Sequence, residues 1–594
     1  MMKKPRKMAT ALLLLGVLML AACTPKEELY VTSTEGVFSY DNATVYFAMT
    51  DRFYDGNPEN NESYGRKTVD ELGKNIGTFH GGDIAGMTKK LEEGYFKDLG
   101  INAIWITAPY EQIHGYIGGG RNGDFAHYGF HGYYALDWTM MDQNIGTVEE
   151  FRTFVDTAHS QGIRILLDVV MNHVGYPNLQ DMRTYDYGNV DLPEDYEVTS
   201  TMDFFDYNKY VDYESPGSFD NFWGDWVRAG LPGYHPPGES EVTLSLAGLP
   251  DIRTEVTEDI GLAPILEKKW AMEEEGYDQW IIPAAKDLRQ DLGLAPYEYI
   301  IAWLSAWVEE FGIDGFRIDT AKHVEVERWA ELKESVEEAL ARYRKNNPEK
   351  PGADWTEGFF MVGEVWGHGV LRNYYYDHGF DALINFTFQG LKGDGPAFRK
   401  GPLDSVYMNY ANALNGETPF NVLSYISQHD TALYNRDRLL EGGKNLLLLP
   451  GAVKIFYGDE TARPMGEGGS DATQGTRSFM NWEEVDEEVL THFRKLGTFR
   501  NRNLSVGAGL HETLSKEPFV FLRTYEAQGL MNKTMVYDGE PGEVPLDVSK
   551  AFPEGSTLRD AYTDTLYEVQ DGQIILKVHD YGLALLEEVT KVAP

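Results

Sequence analysis

Eight short apolar runs recur along the chain, and each is followed by a polar turn and a stretch with helical character. The runs are almost continuously apolar, which is typical of parallel strands covered on both faces. Polar residues collect at their C-terminal ends, the face where a parallel barrel gathers functional side chains. The pattern predicts an α/β fold, a (β/α)8 TIM barrel, with strands inside residues 43–50, 101–107, 163–172, 313–319, 359–364, 381–386, 421–427 and 452–458.

Two segments break this rhythm. Residues 174–254 are rich in Tyr, Asp, Asn, Gly and Pro and lack a helical pattern, so we expect an irregular subdomain, subdomain B, inserted after the third strand. Residues 255–311 have a mostly helical pattern, longer than one crossover needs. Near the C-terminus, short alternating runs separated by turns predict an antiparallel β domain, a β-sandwich over 503–594. The barrel would then occupy residues 41–502.

The N-terminus has the pattern of an export signal. A basic start precedes an apolar run over 8–20 that is too short to span a bilayer comfortably. The run ends in Leu-Ala-Ala-Cys, which resembles a bacterial lipoprotein box and implies lipidation of Cys23; the alternative is an ordinary secretory cleavage site. We therefore expect a signal peptide over 1–22, a tether over 23–40, and an exported protein lipid-anchored at the extracellular or periplasmic face of the bacterial cell envelope.

The charge of the chain narrows its expected partners. In 594 residues, 94 acidic side chains outnumber 52 basic ones, giving a formal net charge of −42. Phosphate recognition needs clustered Lys and Arg, so nucleic acid is not an expected partner. The chain has one cysteine, so it has no intrachain disulfide and no thiolate zinc site. Neutral ligands and divalent cations remain possible partners.

Four carboxylic acids lie at or near the ends of predicted strands: Asp168, Asp319, Glu364 and Asp430. Taken singly, a strand-end Asp is often only a helix cap or a turn residue. Together, they can supply the pair of carboxyl groups that breaks a glycosidic bond, one as nucleophile and one as acid/base. The strand-end positions therefore point to glycoside chemistry at one face of the barrel.

Ordered motifs carry a resemblance to the α-amylase family of glycoside hydrolases. The matching segments stand in the family order and cover the chain from about residue 43 to residue 590. The four main signatures are DVVMNH (168–173), GFRIDTAKH (315–323), GEVW (363–366) and SQHD (427–430). Further matches are HGYY (131–134), LPDI (249–252) and IFYGDE (455–460).

The resemblance implies a role for each strand-end acid. Asp319 would be the nucleophile, Glu364 the general acid/base, and Asp430 would hold hydroxyl groups of the distorted sugar at the cleavage point. Arg317 would keep the Asp319 carboxylate ionised, because a neighbouring cation lowers a carboxyl pKa. Asp168 would lie beneath the site and orient Arg317.

The resemblance also implies a set of substrate-binding residues. Tyr133 would stack on the apolar face of the sugar, and Lys322 and His323 would reach the leaving-group side. Gln428 departs from the asparagine that the fourth signature usually has. Three histidines would hydrogen-bond the same sugar: His131, His173 and His429.

Two structural calcium sites are implied as well, since calcium prefers carboxylate, amide and carbonyl oxygens. The first would use Asn172, Asp251 and the backbone carbonyl of His323 and would join subdomain B to the barrel. For the second, the alternative is an Asx-rich turn with no ion. Its ligands would be Asp55, Asn57, Asn60, Asn61, the Gly81 carbonyl and Asp83.

The leading interpretation is a monomeric, retaining, endo-acting α-amylase that cleaves α-1,4-glucosidic bonds of starch-like glucans and maltodextrins. The first alternative is a transglycosylase of the same family, such as a cyclodextrin-forming enzyme. The chain has room for one C-terminal β domain, whereas those enzymes usually carry two more. The second alternative is a lipid-anchored maltodextrin-binding protein. The intact carboxylates of Asp319, Glu364 and Asp430 argue against it.

Overall fold

Eight parallel strands close a barrel, as the apolar runs predict. The computed structural model describes residues 29–592 except 188–190, 192, 194, 197–206, 211, 213–221, 232–233, 274–275 and 528. Each strand pairs with the next along the chain, and the eighth closes against the first. We label them β1 to β8: Thr44–Ala48, Ala103–Ile106, Arg164–Val169, Gly315–Ile318, Phe360–Gly363, Ala382–Asn385, Asn421–Tyr425 and Ala452–Phe456. The predicted barrel is confirmed.

The strands are buried on both faces. Every residue of β1 and of β3 is buried, so neither strand shows the alternation of a half-exposed sheet. Side chains fill the barrel interior in layers, and the rings of Phe47 and Trp105 stack with centroids 3.8 Å apart. The barrel is therefore a packed core that supports the strand ends.

Helices surround the barrel, and their ends follow local sequence signals. Val148–Ser160 starts at a reciprocal cap between Thr147 and Glu150. Pro296–Phe311 begins with a proline and ends at Gly312, whose φ of +70° suits glycine. The other long helices are Ile84–Glu92, Pro264–Met272, Val326–Asn346, Asp404–Leu414, Leu439–Leu447 and Glu487–Arg502. The crossover after β5 contains the 3₁₀ helix Tyr374–His378.

Two long loops build the rim above the barrel. After β2, short paired strands flank the HGYY segment: Tyr110–Gln112 pairs with Ala135–Met141, which follows it, and Ile117–Gly119 pairs with Phe125–His127, which precede it. The sequence did not predict these strands. After β3, we expected no helix in subdomain B, but Leu179–Thr184 is helical because Asn178 caps its first turn.

The C-terminal residues form the predicted antiparallel β domain. A six-stranded sheet and a two-stranded sheet share one small core. Gln573–Val578 alternates between exposed and buried positions, as a strand with one covered face does. In spatial order the large sheet contains Leu510–Lys516, Phe519–Ala527, Leu530–Asp538, Leu583–Glu588, Thr557–Asp560 and Thr565–Glu568; the small sheet pairs Gly542–Asp547 with Gln573–Val578.

The N-terminal segment differs from the expected tether over 23–40. Leu29–Val31 pairs antiparallel with Thr590–Val592. The hydroxyls of Thr32 and Thr34 donate to the carbonyl of Arg502 at 2.7 and 2.9 Å. Residues 29–34 therefore pack on the fold, because they complete a sheet and satisfy a helix-end carbonyl. Cys23 and residues 1–22 lie outside the described residues, within which no helix is long and apolar enough to cross a membrane.

Candidate active site

A cleft of about 490 Å³ opens at the carboxyl ends of the barrel strands. Loops after β2, β3, β4, β5 and β7 contribute its walls, so residues far apart in sequence meet there. The lining residues are Tyr133, His173, Leu244, Leu246, Leu249, Asp319, Thr320, Lys322, His323, Glu364, Trp366 and Asp430. The three expected catalytic acids are among them, and so are four of the eight expected substrate-binding residues: Tyr133, His173, Lys322 and His323.

Arg317 lies at the floor of this cleft and joins three carboxyl groups. It is fully buried on β4. Its Nη1 lies 2.8 Å from Asp168 Oδ1 and 2.8 Å from Asp319 Oδ1, and its Nη2 lies 2.7 Å from Glu364 Oε2. A guanidinium is a rigid planar fork, so this contact holds the three acids in a defined arrangement. Asp168 is placed to orient Arg317.

Of the three acids that Arg317 joins, the two that line the cleft, Asp319 and Glu364, have different proton affinities. Burial raises the pKa of Asp319 to about 6, against the lowering effect of Arg317. Burial raises the pKa of Glu364 to about 8, with Asp319 and Asp430 adding to the shift and Arg317 opposing it. We expected Arg317 to keep the Asp319 pKa low, but desolvation outweighs the cation. At neutral pH, Asp319 is ionised and Glu364 holds a proton.

Thr320 follows Asp319 in a left-handed backbone conformation, with φ of +48°. A β-branched residue rarely adopts this region, and such strain is found where the surrounding structure holds a functional group in place. Its backbone N–H donates to Glu364 Oε2 at 3.3 Å. The turn after β4 therefore links the positions of the two acids.

Asp430 is held from two sides. Its Oδ2 lies 2.8 Å from His429 Nε2, and its Oδ1 accepts from Arg477 Nη2 at 2.7 Å. Burial alone would raise its pKa, but His429, Arg477 and Arg317 outweigh it, so the pKa of Asp430 is well below its ordinary value. No sequence motif points to Arg477, which ends the 3₁₀ helix Ala472–Arg477.

Tyr133 stands between two histidines at the cleft. Its ring is nearly parallel to those of His131 and His429, at centroid distances of 5.3 and 5.7 Å. Its hydroxyl donates to Asp168 Oδ2 at 2.8 Å, and its carbonyl lies 3.2 Å from His173 Nε2.

His131 keeps one ring nitrogen free. Its Nδ1 accepts from the Tyr133 N–H at 3.0 Å, so the ring proton is on Nε2. Burial holds the His131 pKa well below its ordinary value, so the ring is neutral. Nε2 has no hydrogen-bond partner among the described residues, and it can donate to a bound hydroxyl.

The far end of the cleft meets subdomain B. Lys322 Nζ lies 2.9 Å from Glu241 Oε2, and His323 Nδ1 lies 2.7 Å from the Glu241 carbonyl. Trp366, two residues after Glu364, leaves 45% of its surface exposed beside them. Trp366 stands inside the GEVW motif, but only the fold places it in the cleft, together with three leucines: Leu244, Leu246 and Leu249.

The first expected calcium site brings its oxygens together. A backbone bridge joins His173 to Asp251, so subdomain B lies against the end of β3. The amide of Asn172 lies 2.9 Å from the His323 carbonyl and 3.1 Å from Asp251 Oδ1. With the amide oxygen on this side, three oxygens face one another, as ligands of a hard cation do. Reversing the amide lets its nitrogen donate to both oxygens instead. Arg228 Nη1 contacts the second oxygen of Asp251 at 2.8 Å.

The second expected site also offers free oxygens. Oδ1 of Asp55, Oδ1 of Asn60 and Oδ1 of Asn61 are buried and lack hydrogen-bond partners among the described residues. Gly81 has φ of +90°, and a Cβ there would lie 2.6 Å from Asn61 Oδ1, so glycine allows the close approach. The residues present fit a calcium ion.

Two predicted ligands of the second site, Asp83 and Asn57, also make hydrogen bonds within the protein. The Asp83 carboxylate accepts four hydrogen bonds, from the backbone of Gly56, Asn57 and Gly86 and from Asn60 Nδ2, and it caps Ile84–Glu92. Asn57 caps the 3₁₀ helix Pro58–Asn60. Both side chains shape the loop, and their role as calcium ligands stays a prediction.

A protein-family model and a known protein both match this chain. The family model described as "Alpha amylase, catalytic domain" matches residues 47–227 and 265–495. A periplasmic α-amylase of Escherichia coli (strain K12) is 44% identical over 515 residues, covering 83% of this chain and 72% of its own length.

Two solved structures share the fold across the chain. The α-amylase of Geobacillus thermoleovorans, complexed with acarbose, matches 94% of this chain and 100% of its own, with a TM-score of 0.59 and 21% identity. A cyclomaltodextrin glucanotransferase with a three-domain ABC distribution, CldA, matches 93% of this chain and 99% of its own, with a TM-score of 0.60 and 18% identity. The barrel, the ordered motifs and these matches agree, and the chain belongs to the α-amylase family.

Proposed function

We propose that this protein is an endo-acting α-amylase that hydrolyses α-1,4-glucosidic bonds of starch-like glucans and maltodextrins with retention. One observation carries the proposal: Arg317 contacts both Asp319 and Glu364, yet the pKa of Asp319 lies near 6 and that of Glu364 near 8. Two carboxyl groups whose environments separate their pKa values divide into a nucleophile and a proton donor. The cleft provides both at neutral pH.

In the first step, Glu364 gives its proton to the glycosidic oxygen as the bond from that oxygen to the anomeric carbon breaks. The Asp319 carboxylate forms a bond to the same carbon, and the leaving glucan departs with a free hydroxyl. In the second step, the Glu364 carboxylate takes a proton from water, the water oxygen bonds to the anomeric carbon, and Asp319 is released. Two displacements retain the anomeric configuration.

The remaining cleft residues support the reacting sugar. Asp430 is ionised and fixed by His429 and Arg477, so it can accept hydrogen bonds from sugar hydroxyls that strengthen in the transition state. His131 Nε2 is free to donate to the same ring. Tyr133 offers an aromatic face, and Lys322 and His323 lie toward subdomain B, where the leaving chain would extend.

We also propose two structural calcium ions. Asn172, Asp251 and the His323 carbonyl would hold the first. Asp55, Asn57, Asn60, Asn61, the Gly81 carbonyl and Asp83 would hold the second. In the described residues, no group of three His, Cys, Asp or Glu side chains gathers as a metal site, so both sites depend on amide and carbonyl oxygens. A bound calcium ion would fix loops around the cleft and would take no part in bond breaking.

The cellular location is proposed from the N-terminus. The lipoprotein-like box ending at Cys23 supports export followed by lipid anchoring at the envelope, with the enzyme acting as a monomer on α-glucans. The E. coli relative is described as periplasmic, which agrees with export.

A product profile tests the proposed reaction. The protein lacking residues 1–22, with Cys23 replaced by Ser, is incubated with amylose and calcium, with Asp319→Asn as the control. Linear maltooligosaccharides of mixed length, absent in the control, are expected. Cyclic or elongated products would reassign the protein as a transglycosylase. Amylose binding without any product would reassign it as a binding protein.

A further inference from the structure

Lys454 is a buried lysine beneath the active-site cleft. It lies on β8 with 1% of its surface exposed. Lys269, the other lysine buried to this degree in the described chain, contacts the carboxylates of Glu111, Asp137 and Glu273. Lys454 makes no ion pair with any described carboxylate. Its Nζ lies 4.5 Å from the ring centre of Tyr425 and 5.2 Å from that of Trp105.

The polar partner of Lys454 is Gln428. Nζ donates to Gln428 Oε1 at 2.5 Å, and the same oxygen lies 3.1 Å from His429 Nδ1. Gln428 and His429 are fully buried. Burial lowers the pKa of Lys454 to about 7, and in its charged form the lysine has only donors, so the amide oxygen of Gln428 faces it. Nδ1 of His429 therefore faces the amide oxygen that Lys454 holds.

We propose that Lys454 is a positioning residue for the reaction: through Gln428, it fixes the orientation of the His429 ring, with Nδ1 toward Gln428 and Nε2 toward the cleft. This inference rests on the proposed function, since His429 acts there on the reacting sugar and on Asp430. His429 Nε2 lies 2.8 Å from Asp430 Oδ2 and 3.1 Å from the Tyr133 hydroxyl. A rotation of the ring would break both contacts.

The proposal gives a physical reason for the glutamine in the SQHD motif. Glutamine is one methylene longer than the asparagine usual at this position, and its amide reaches the Nζ of a lysine on the next strand. The chain of contacts runs from Lys454 on β8 to Gln428 and His429 after β7. A buried hydrogen bond to a charged group is among the stronger ones, so the pair can hold the imidazole in one orientation.

Variants of the two residues test the proposal on the complete enzyme, with maltoheptaose as substrate. Lys454→Met removes the donor and keeps an apolar chain of similar length among the aromatic rings. We expect kcat to fall about ten- to a hundredfold while KM changes less than about threefold, because misplacing a group that acts on the reacting sugar costs mainly the chemical step. Lys269→Met is the control for loss of a buried lysine: it should lower the melting temperature and leave kcat unchanged in the folded enzyme.

Rescue and coupling separate positioning from general packing. Gln428→Glu keeps an acceptor for both Lys454 and His429 and should retain kcat within about threefold, whereas Gln428→Leu should lose as much as Lys454→Met. The double variant Lys454→Met with Gln428→Leu should be no worse than either single variant, because each change already breaks the chain. Wild-type kcat in Lys454→Met, or losses that multiply in the double variant, would overturn the proposal.

Failure of the positioning proposal can be told apart from failure of the proposed function. If the wild-type enzyme releases no sugar from amylose or maltoheptaose, the proposed function fails. The crystal structure of Lys454→Met then decides the positioning proposal: a displaced Gln428 amide and His429 ring support it, and unchanged positions overturn it. If Lys454→Met does not fold, the two Gln428 variants decide, and equal activity in Gln428→Glu and Gln428→Leu overturns it.

Discussion

Glu364 Oε2 lies 2.7 Å from Arg317 Nη2, although Glu364 has a higher pKa than Asp319 or Asp168. A guanidinium at this distance lowers a carboxyl pKa, but Glu364 is removed from water and faces the charges of Asp319 and Asp430. Desolvation and repulsion together exceed the attraction. One arginine therefore supports an ionised nucleophile and a protonated acid side by side.

This relationship predicts a bell-shaped pH profile for kcat/KM. Below about pH 6, Asp319 takes up a proton and loses its nucleophilic form; above about pH 8, Glu364 loses the proton that it must donate. We expect the maximum near pH 7. Glu364→Gln should slow hydrolysis of maltoheptaose about 10²- to 10⁴-fold. It should spare the first step with α-maltosyl fluoride, measured as a burst of released fluoride, because this leaving group needs no proton. Steady turnover should still slow, since Glu364 also acts as the base in the second step. A fluoride burst that is slowed as much as maltoheptaose hydrolysis would contradict the role of Glu364.

Asp319→Asn should abolish hydrolysis, with a loss of at least about 10⁴-fold in kcat, because a nucleophile has no substitute in this cleft. The native pKa of Asp319 is raised from 3.8 to about 6, so the protonated carboxyl stabilises the fold. This contribution to the free energy of unfolding is lost as the pH rises through about 6. At pH 7 the variant should therefore melt at the same or a higher temperature. Calorimetry checks this, and a clear drop in melting temperature would contradict the reasoning.

Arg477→Met should weaken catalysis through Asp430. Loss of the contact from Nη2 to Asp430 Oδ1 removes a cation that holds the Asp430 pKa low, so we expect kcat/KM to fall about tenfold or more. Arg477→Lys should restore part of the activity, because it keeps the charge but lacks the planar fork. Arg438→Met is the matched control, since Arg438 pairs with Glu441 away from the cleft. Equal activity of Arg477→Met and Arg438→Met would argue against a role in catalysis for the contact between Arg477 and Asp430.

Calcium removal should destabilise the protein. Each ion at a hundred times its Kd contributes about 2.7 kcal/mol to the free energy of unfolding, so a chelator should lower the melting temperature by several degrees, and added calcium should restore it. Metal analysis should find two ions. Asp251→Asn and Asp55→Asn should each lose one.

The control for the calcium experiment is Glu59→Gln, an exposed acid in the same loop as Asp55. It should keep both ions and the wild-type melting temperature. A protein with two ions in all three variants would refute the assignment of ligands. A protein without calcium, unaffected by the chelator, would refute the sites themselves.

The fold and much of the cleft were predictable from short stretches of sequence. Apolar runs identify barrel strands because burial on both faces leaves little room for polar residues. The order of the motifs then places Asp319, Glu364 and Asp430 at strand ends, and parallel strands bring those ends to one face. These features are local, so the sequence by itself determined them.

Tertiary structure alone decided the contacts between distant segments. Arg477 reaches Asp430 across 47 positions, Lys454 reaches Gln428 across 26, and Leu29–Val31 pairs with the last strand, Thr590–Val592. The order of the two catalytic pKa values also depends on burial and on which charges meet after folding. No local pattern encodes such contacts, because they arise from how loops pack on the barrel, and packing is a property of the whole chain.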